Sequence, residues 1–352
     1  MARLTANPTK APHAPGASMS ASWRTVLHNL DRASRALTVT GLLMLADIVL
    51  SIAGLILDPS TVSGAPTWMK PLKFAVSTCL FSFTLAFMIG QLSRMRRFAA
   101  IVGRFMAAAL VLEIALIDLQ AARHTVSHFN NTTLFDRAVY GVMGTGISVV
   151  LLSTVLILIA TCLERFPDRE SARSLGLAIR LGLALSLAGM GTGILMTFPT
   201  PQQLQAAEQG KGMPRVGAHT VGAPDGGPGM PMTGWSADHG DLRIAHFVGL
   251  HGMQLLILGW WLAVRARWSE ERQTRLVWTI TVSVSGAFAT VLWQALRGQP
   301  FLKPDAPILV SWAIWLAITG GLLIWARCAK TAGARQSQSF QKMDHKIERT
   351  QG

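Results

Sequence analysis

Nine histidines occur in this chain of 352 residues, and five of them, His124, His128, His239, His246 and His251, fall at the mouths of long apolar stretches. Imidazole ligates metals and haem iron, relays protons and titrates near neutral pH. His124 and His128 stand four residues apart, so a helix continuing through both would project them from one face, as shared metal ligation requires. His246 and His251 are five apart, about 140° around a helix, and so address different partners. By helical rise His251 lies about 7.5 Å deeper than His246. That depth suits a haem or transition-metal ligand inside a bundle, with His246 facing the mouth beside His239. The alternative for both is an interhelical hydrogen bond.

Other residue types extend the candidate site. Glu113 and Asp47 fall near the middle of apolar stretches, where carboxylates are functional candidates by default. Glu113, Gln120 and His124, at intervals of seven and four, form one helical stripe that could carry protons to the mouth, with His128 as exit. A protonated Glu113 bonded to a neighbouring helix is the competing reading. Asp118 is placed to pair with Arg123 or Arg243. Arg243 and Arg297 could neutralise a haem propionate or a substrate carboxylate, and Asp241 could serve a metal-bound water as general base. Met213, Met230 and Met232 with His219 and His239 are a thioether and imidazole mixture suited to copper(I). Trp68, Lys70 and Lys73 read as interfacial anchors. Nucleophile elbow, Walker loop, dinucleotide-binding glycines and His-Glu-x-x-His are all missing from the sequence.

The elements that must position these groups are set by composition. Half of the residues are hydrophobic and 14% are charged, with mean hydropathy +0.38. Eight stretches are long enough to cross a bilayer: 36–57, 70–92, 101–122, 139–162, 175–197, 244–264, 276–296 and 307–326. Lipid leaves no partner for open backbone groups, so each is a helix. The expected fold is all-α, an integral membrane bundle of about eight transmembrane helices. The net charge of +14 is concentrated at alternate connections, as in Arg94/Arg96/Arg97, Arg165/Arg169/Arg173 and Arg265/Arg267/Arg272/Arg275. That alternation predicts cytoplasmic termini, with the lipid bilayer rather than nucleic acid as partner. Cys79, Cys162 and Cys328 lack metal-type spacing and read as packing residues.

Residues 1–35 and 329–352 read as cytoplasmic tails, the first disordered, flanking a membrane domain over 36–328. Residues 198–243 form a long outer segment, too rich in Gly, Pro and Met for a helix or strand, whose Pro224-Asp225-Gly226-Gly227-Pro228 run favours a folded-back lid. A faint repeat relates Gln120-Ala121-Ala122-Arg123 to Gln294-Ala295-Leu296-Arg297, and Leu72-Lys73-Phe74-Ala75 to Leu242-Arg243-Ile244-Ala245. Four spans separate the members of each pair, which fits two parallel four-helix halves.

His219-Thr220-Val221-Gly222, Pro224-Asp225-Gly226-Gly227-Pro228-Gly229, Gly240-Asp241-Leu242-Arg243 and His246-Phe247-Val248-Gly249-Leu250-His251 together resemble a family of bacterial multispanning inner-membrane proteins of uncharacterised activity. Lys70-Pro71-Leu72-Lys73-Phe74 and Ser127-His128-Phe129-Asn130 are similar too, and the likeness runs from the first span to the eighth. It implies the fold and no particular activity. His124 and His239 stand where the family pattern has Gly, which shifts weight to His128, Asp241, Arg243, His246, His251 and Arg297. Three functions fit: a haem- or metal-dependent redox protein using His246, His251 and His128; a proton-coupled transporter or receptor for a small anionic or lipid-like ligand; and a metal-dependent lipid hydrolase.

Overall fold

Residues 23–166 and 172–328 are described by a computed structural model. The expected tails over 1–22 and 329–352, and Arg169, lie outside them. Eight helices are long and apolar enough to cross a membrane: α1 (Trp23–Leu57), α2 (Met69–Gly90), α3 (Arg96–Ala122), α4 (Leu134–Leu163), α5 (Ala172–Thr197), α7 (Leu242–Arg265), α8 (Glu270–Leu296) and α9 (Ala306–Arg327). The chain is an all-α, multi-pass membrane protein. Its outer surfaces expose large aliphatic side chains, Val49 and Ile56 on α1 and Leu309 and Leu316 on α9 among them, as contact with lipid tails requires. The connections α1–α2, α3–α4, α5–α7 and α8–α9 lie at one end of the bundle, the loop face; arginines gather at the other.

Two expectations about the connections need correction. The first helix begins at Trp23, not residue 36, and its backbone breaks at Ser34 (φ −157°, ψ 93°). Trp23, Val26 and Leu30 recur at helical spacing, an apolar stripe hidden in a polar composition. The segment 198–243 is not devoid of regular structure either. It holds a short helix, α6 (Pro201–Glu208), and two-residue strands β3 (Thr220–Val221) and β4 (Gly240–Asp241) paired antiparallel. Thr200 and Gln203 cap α6 reciprocally, with Pro201 in the first turn, and that local chemistry outweighs the Gly and Pro content further on. A second small hairpin, β1 (Thr61–Val62) with β2 (Ala65–Pro66), joins α1 to α2.

The helices divide into two halves with the same internal plan. In the first, α1 packs on α2 and α3, α2 on α3, and α3 on α4; in the second, α5 packs on α7 and α8, α7 on α8, and α8 on α9. The halves meet through α4 with α5 and α2 with α7. The short sequence repeats sit at equivalent turns. Arg123 and Arg297 cap α3 and α8 with nearly the same backbone angles (φ −86°, ψ 3° and φ −80°, ψ 2°). The following residues, His124 and Gly298, both take positive φ (52° and 72°), and the next amides close back on Gln120 and Gln294. Each arginine then pairs with the acid that starts the following helix, Arg123 with Asp136 and Arg297 with Asp305, both at 2.7 Å. The helix therefore ends before His124, which occupies a left-handed position suited to Gly. His124 and His128 do not share a helix face.

The apolar core lies toward the arginine-bearing ends and joins both halves: Leu37, Leu85, Met88, Met106, Ile157, Ile179, Leu183 and Met253 are fully buried or nearly so. Within the second half, α5 and α7 touch backbone to backbone. A Cβ on Gly249 would lie 2.5 Å from Gly189 Cα, so only glycine permits this approach.

Candidate functional site

The polar groups collect at the loop face, between the halves. The loop 123–133 turns inward rather than running over the surface. Asn130 is fully buried and binds the loop to itself: its Nδ2 donates to Val126 O at 3.0 Å, and its Oδ1 accepts from Thr132 N at 3.2 Å. Irregular backbone at this depth needs such internal partners. The result is that His128 Nε2 lies 3.2 Å from Oε1 of Glu113, a residue nine positions, about 13 Å of helix, below the end of α3. On its other side His128 Nδ1 is 3.0 Å from Lys70 Nζ and 3.0 Å from Ser127 Oγ.

The three side chains make a line, Lys70 to His128 to Glu113. When Lys70 is protonated it donates to Nδ1, and the ring proton then sits on Nε2, facing the carboxylate. Neither Glu113 oxygen is aligned for a hydrogen bond. Exposure falls along this line, with His128 at 21% and Glu113 at 3%, so the imidazole joins an accessible end to a sealed one. Burial, followed by the charges of Lys70, His219 and His246, holds the His128 pKa well below the usual imidazole range. Phe129 keeps a left-handed backbone (φ 63°), costing about 1–2 kcal/mol, and its ring packs on Tyr140 and His219.

The 198–241 segment folds back over this end. Val216 N donates to Phe129 O (3.1 Å), Asn131 N to Pro214 O (2.9 Å), and Lys73 Nζ to Thr233 O (2.7 Å). His219 is fastened by Asp225, which accepts from Thr220 N (2.9 Å) and binds His219 Nδ1 (2.9 Å). Burial opposes the Asp225 charge, but His219 and the two backbone amides outweigh it and hold its pKa well below the carboxylate range. His219 itself is pushed down by burial, against the pull of Asp225. Gly240 abuts the carbonyl of Ala295, where a side chain has no room. This explains the glycine at position 240.

The second half supplies His246 and His251. His246 Nδ1 donates to Gly189 O at 2.7 Å, the interhelical bond weighed above against ligation, which leaves Nε2 unprotonated in the neutral ring. His251 Nε2 is 3.4 Å from Ser77 Oγ on α2, and its ring lies 4.3 Å from that of Phe247. Among the described residues, no three His, Cys, Asp or Glu side chains converge to hold a metal ion. His128, His246 and His251 are not brought together as one such group.

Several expected roles change. Asp241 is 2% exposed, caps α7, and accepts from Ser236 N (2.7 Å) and from Arg243 N, Nε and Nη2. Fully engaged, it is a structural cap and not a free general base. Arg243 is neutralised by Asp241, and Arg297 by Asp305, so neither is an open anion site. Asp118 faces Asp47, not an arginine. Gln120 donates to Asp136 (3.0 Å), which takes it out of the proposed proton stripe. His124 Nδ1 binds Ser60 Oγ (2.9 Å), and the His239 amide donates to Ser236 Oγ (3.1 Å); neither joins the cluster. Lys70, read from sequence as an anchor, is the group that was missed. Its helical register with Lys73 and Ser77, at intervals of three and four, was the available signal. No family model, curated protein or solved structure matches the chain.

Proposed function

We propose that this protein is a proton-coupled carrier for a small organic anion, in a bacterial inner membrane with the loop face outward. The observation that carries the reading is the line Lys70–His128–Glu113, which runs from a partly exposed ammonium to a carboxylate at 3% exposure. Proton exchange at Glu113 through His128 would change the charge of the sealed end. Among the described residues neither Lys70 nor Lys73 has a carboxylate within ion-pair distance, so an anionic ligand would supply the counter-charge to either amine when it is protonated. Two similar halves meeting at the site suit alternating access. Arg94, Arg96, Arg97, Arg165, Arg265 and Arg275, at the opposite end, support cytoplasmic termini, and the likeness to bacterial multispanning inner-membrane proteins points to the same location.

Proteoliposomes holding a pH-sensitive dye, challenged with a panel of small carboxylates, test this. Wild-type protein is expected to acidify the lumen only when a transported carboxylate is added, and Glu113→Gln to abolish that coupling. Uptake by Glu113→Gln with wild-type proton flux would overturn the assignment.

A redox reading keeps one specific support. The His246 Nδ1 bond to Gly189 O (2.7 Å) is the kind of outer hydrogen bond that orients a metal-ligating imidazole through its other nitrogen. An absorbance spectrum of the gently purified protein, before and after reduction, decides it: a stoichiometric haem band lost in His246→Ala supports it, and a spectrum without haem rules it out for protein shown to retain its cofactors.

A further inference from the structure

A second polar site lies in the first half, away from the histidines. Asp47 on α1 is 8% exposed, and both of its carboxylate oxygens are buried with no N–H or hydroxyl donor bonded to them. The Asp118 carboxyl on α3 faces it, and Asp118 Oδ1 is likewise buried without a partner. One helical turn beyond Asp47, on the same face of α1, Ser51 is fully buried with its hydroxyl unbonded. Among the described residues, no Lys, Arg or His forms an ion pair with either acid. Toward the core the site is floored by an apolar layer that includes Met44, Ile48, Cys79, Ile114 and Ile117.

Buried polar atoms are almost always satisfied, and a group of them left open in one place calls for an ion or water. Here the open atoms are all hard oxygen donors, and the two carboxyl groups bring negative charge with no protein cation to offset it. We propose that Asp47, Asp118 and Ser51 bind a monovalent metal cation of the sodium class within the membrane. Divalent ions fit less well. Calcium takes six to eight oxygens and magnesium keeps several waters, whereas the two carboxyl groups and one hydroxyl offer five oxygens beside an apolar floor. Sodium leaves one negative charge, which a single proton on the pair neutralises. The site does not depend on the Lys70–His128–Glu113 line.

The test uses the full chain in detergent, purified in choline chloride. Thermal unfolding is followed as sodium chloride replaces choline chloride at constant ionic strength, with potassium, calcium and magnesium in parallel arms. A saturable rise in midpoint with sodium is expected, exceeding that with any other cation. Asp47→Asn and Asp118→Asn should lose the rise, and Ser51→Ala should need about tenfold more sodium for the same shift. Asp31→Asn, at an exposed acid on the same helix, should keep it. Equal midpoints in sodium and choline, a larger shift with calcium or magnesium, or an undiminished sodium response in Asp47→Asn would each overturn the proposal. The ion comparison on wild-type protein decides the matter even if a variant fails to fold.

Discussion

Replacing Gly249 with Ala tests the packing that holds the second half of the site. The added Cβ would stand 2.5 Å from Gly189 Cα and 2.7 Å from Gly189 N, where carbon atoms prefer about 3.5–4.0 Å. Backbone occupies the far side, so no side-chain rotation relieves the contact, and α5 and α7 must separate by about 1 Å. Overpacking of this kind costs roughly 1–3 kcal/mol, and a rigid backbone neighbour places it at the upper end. Separation also stretches the 2.7 Å bond from His246 to Gly189 O, adding about 1 kcal/mol. The expected loss is about 3–4 kcal/mol, measured by reversible unfolding in mixed micelles. Gly144→Ala on α4, where the new Cβ meets nothing within 4 Å, serves as control and should change stability by less than about 1 kcal/mol. If Gly249→Ala unfolds within about 0.5 kcal/mol of wild type, the backbone contact between α5 and α7 is wrong.

The remaining expectations concern the loop face. His128 and His219 are held below the usual imidazole range, so the fold keeps them neutral while the unfolded chain takes up protons from about pH 6.5 downward. Stability should therefore be full above that pH and fall below it by about 1.4 kcal/mol per unit for each histidine until the folded value is reached. Unfolding midpoints between pH 7 and 5 check this, and His128→Gln should shallow the slope. Asp225→Ala removes the bonds to His219 and Thr220 and should free the 198–241 segment at a cost of about 2 kcal/mol, read as roughly thirtyfold faster limited proteolysis there; unchanged cleavage would show that Asp225 does not fasten the segment. His124→Gly relieves a left-handed backbone worth about 1 kcal/mol but gives up the bond to Ser60, so a small gain in stability is expected, and a loss would contradict the capping geometry.

The bundle was legible in the sequence because lipid imposes one rule on every span: apolar length and internally bonded backbone. All eight stretches became helices, and four-residue repeats marked the two halves because the same helix end, an arginine and a left-handed residue, was used twice. The first-helix start was misread because residues 23–33 are polar on average while their apolar residues keep helical spacing. The site was less legible because its partners are far apart in the chain. Glu113, His128 and Lys70 meet only when α3, an inward-turning loop and α2 are assembled, and Asp241 and Arg243 look free in sequence but close on each other in space. Residue types alone determined that acids and imidazoles would share a low-dielectric interior. Which of them meet, and which are already satisfied, was decided by tertiary packing, since hydrogen bonds and ion pairs form over about 3 Å and helical period says nothing about contacts between helices.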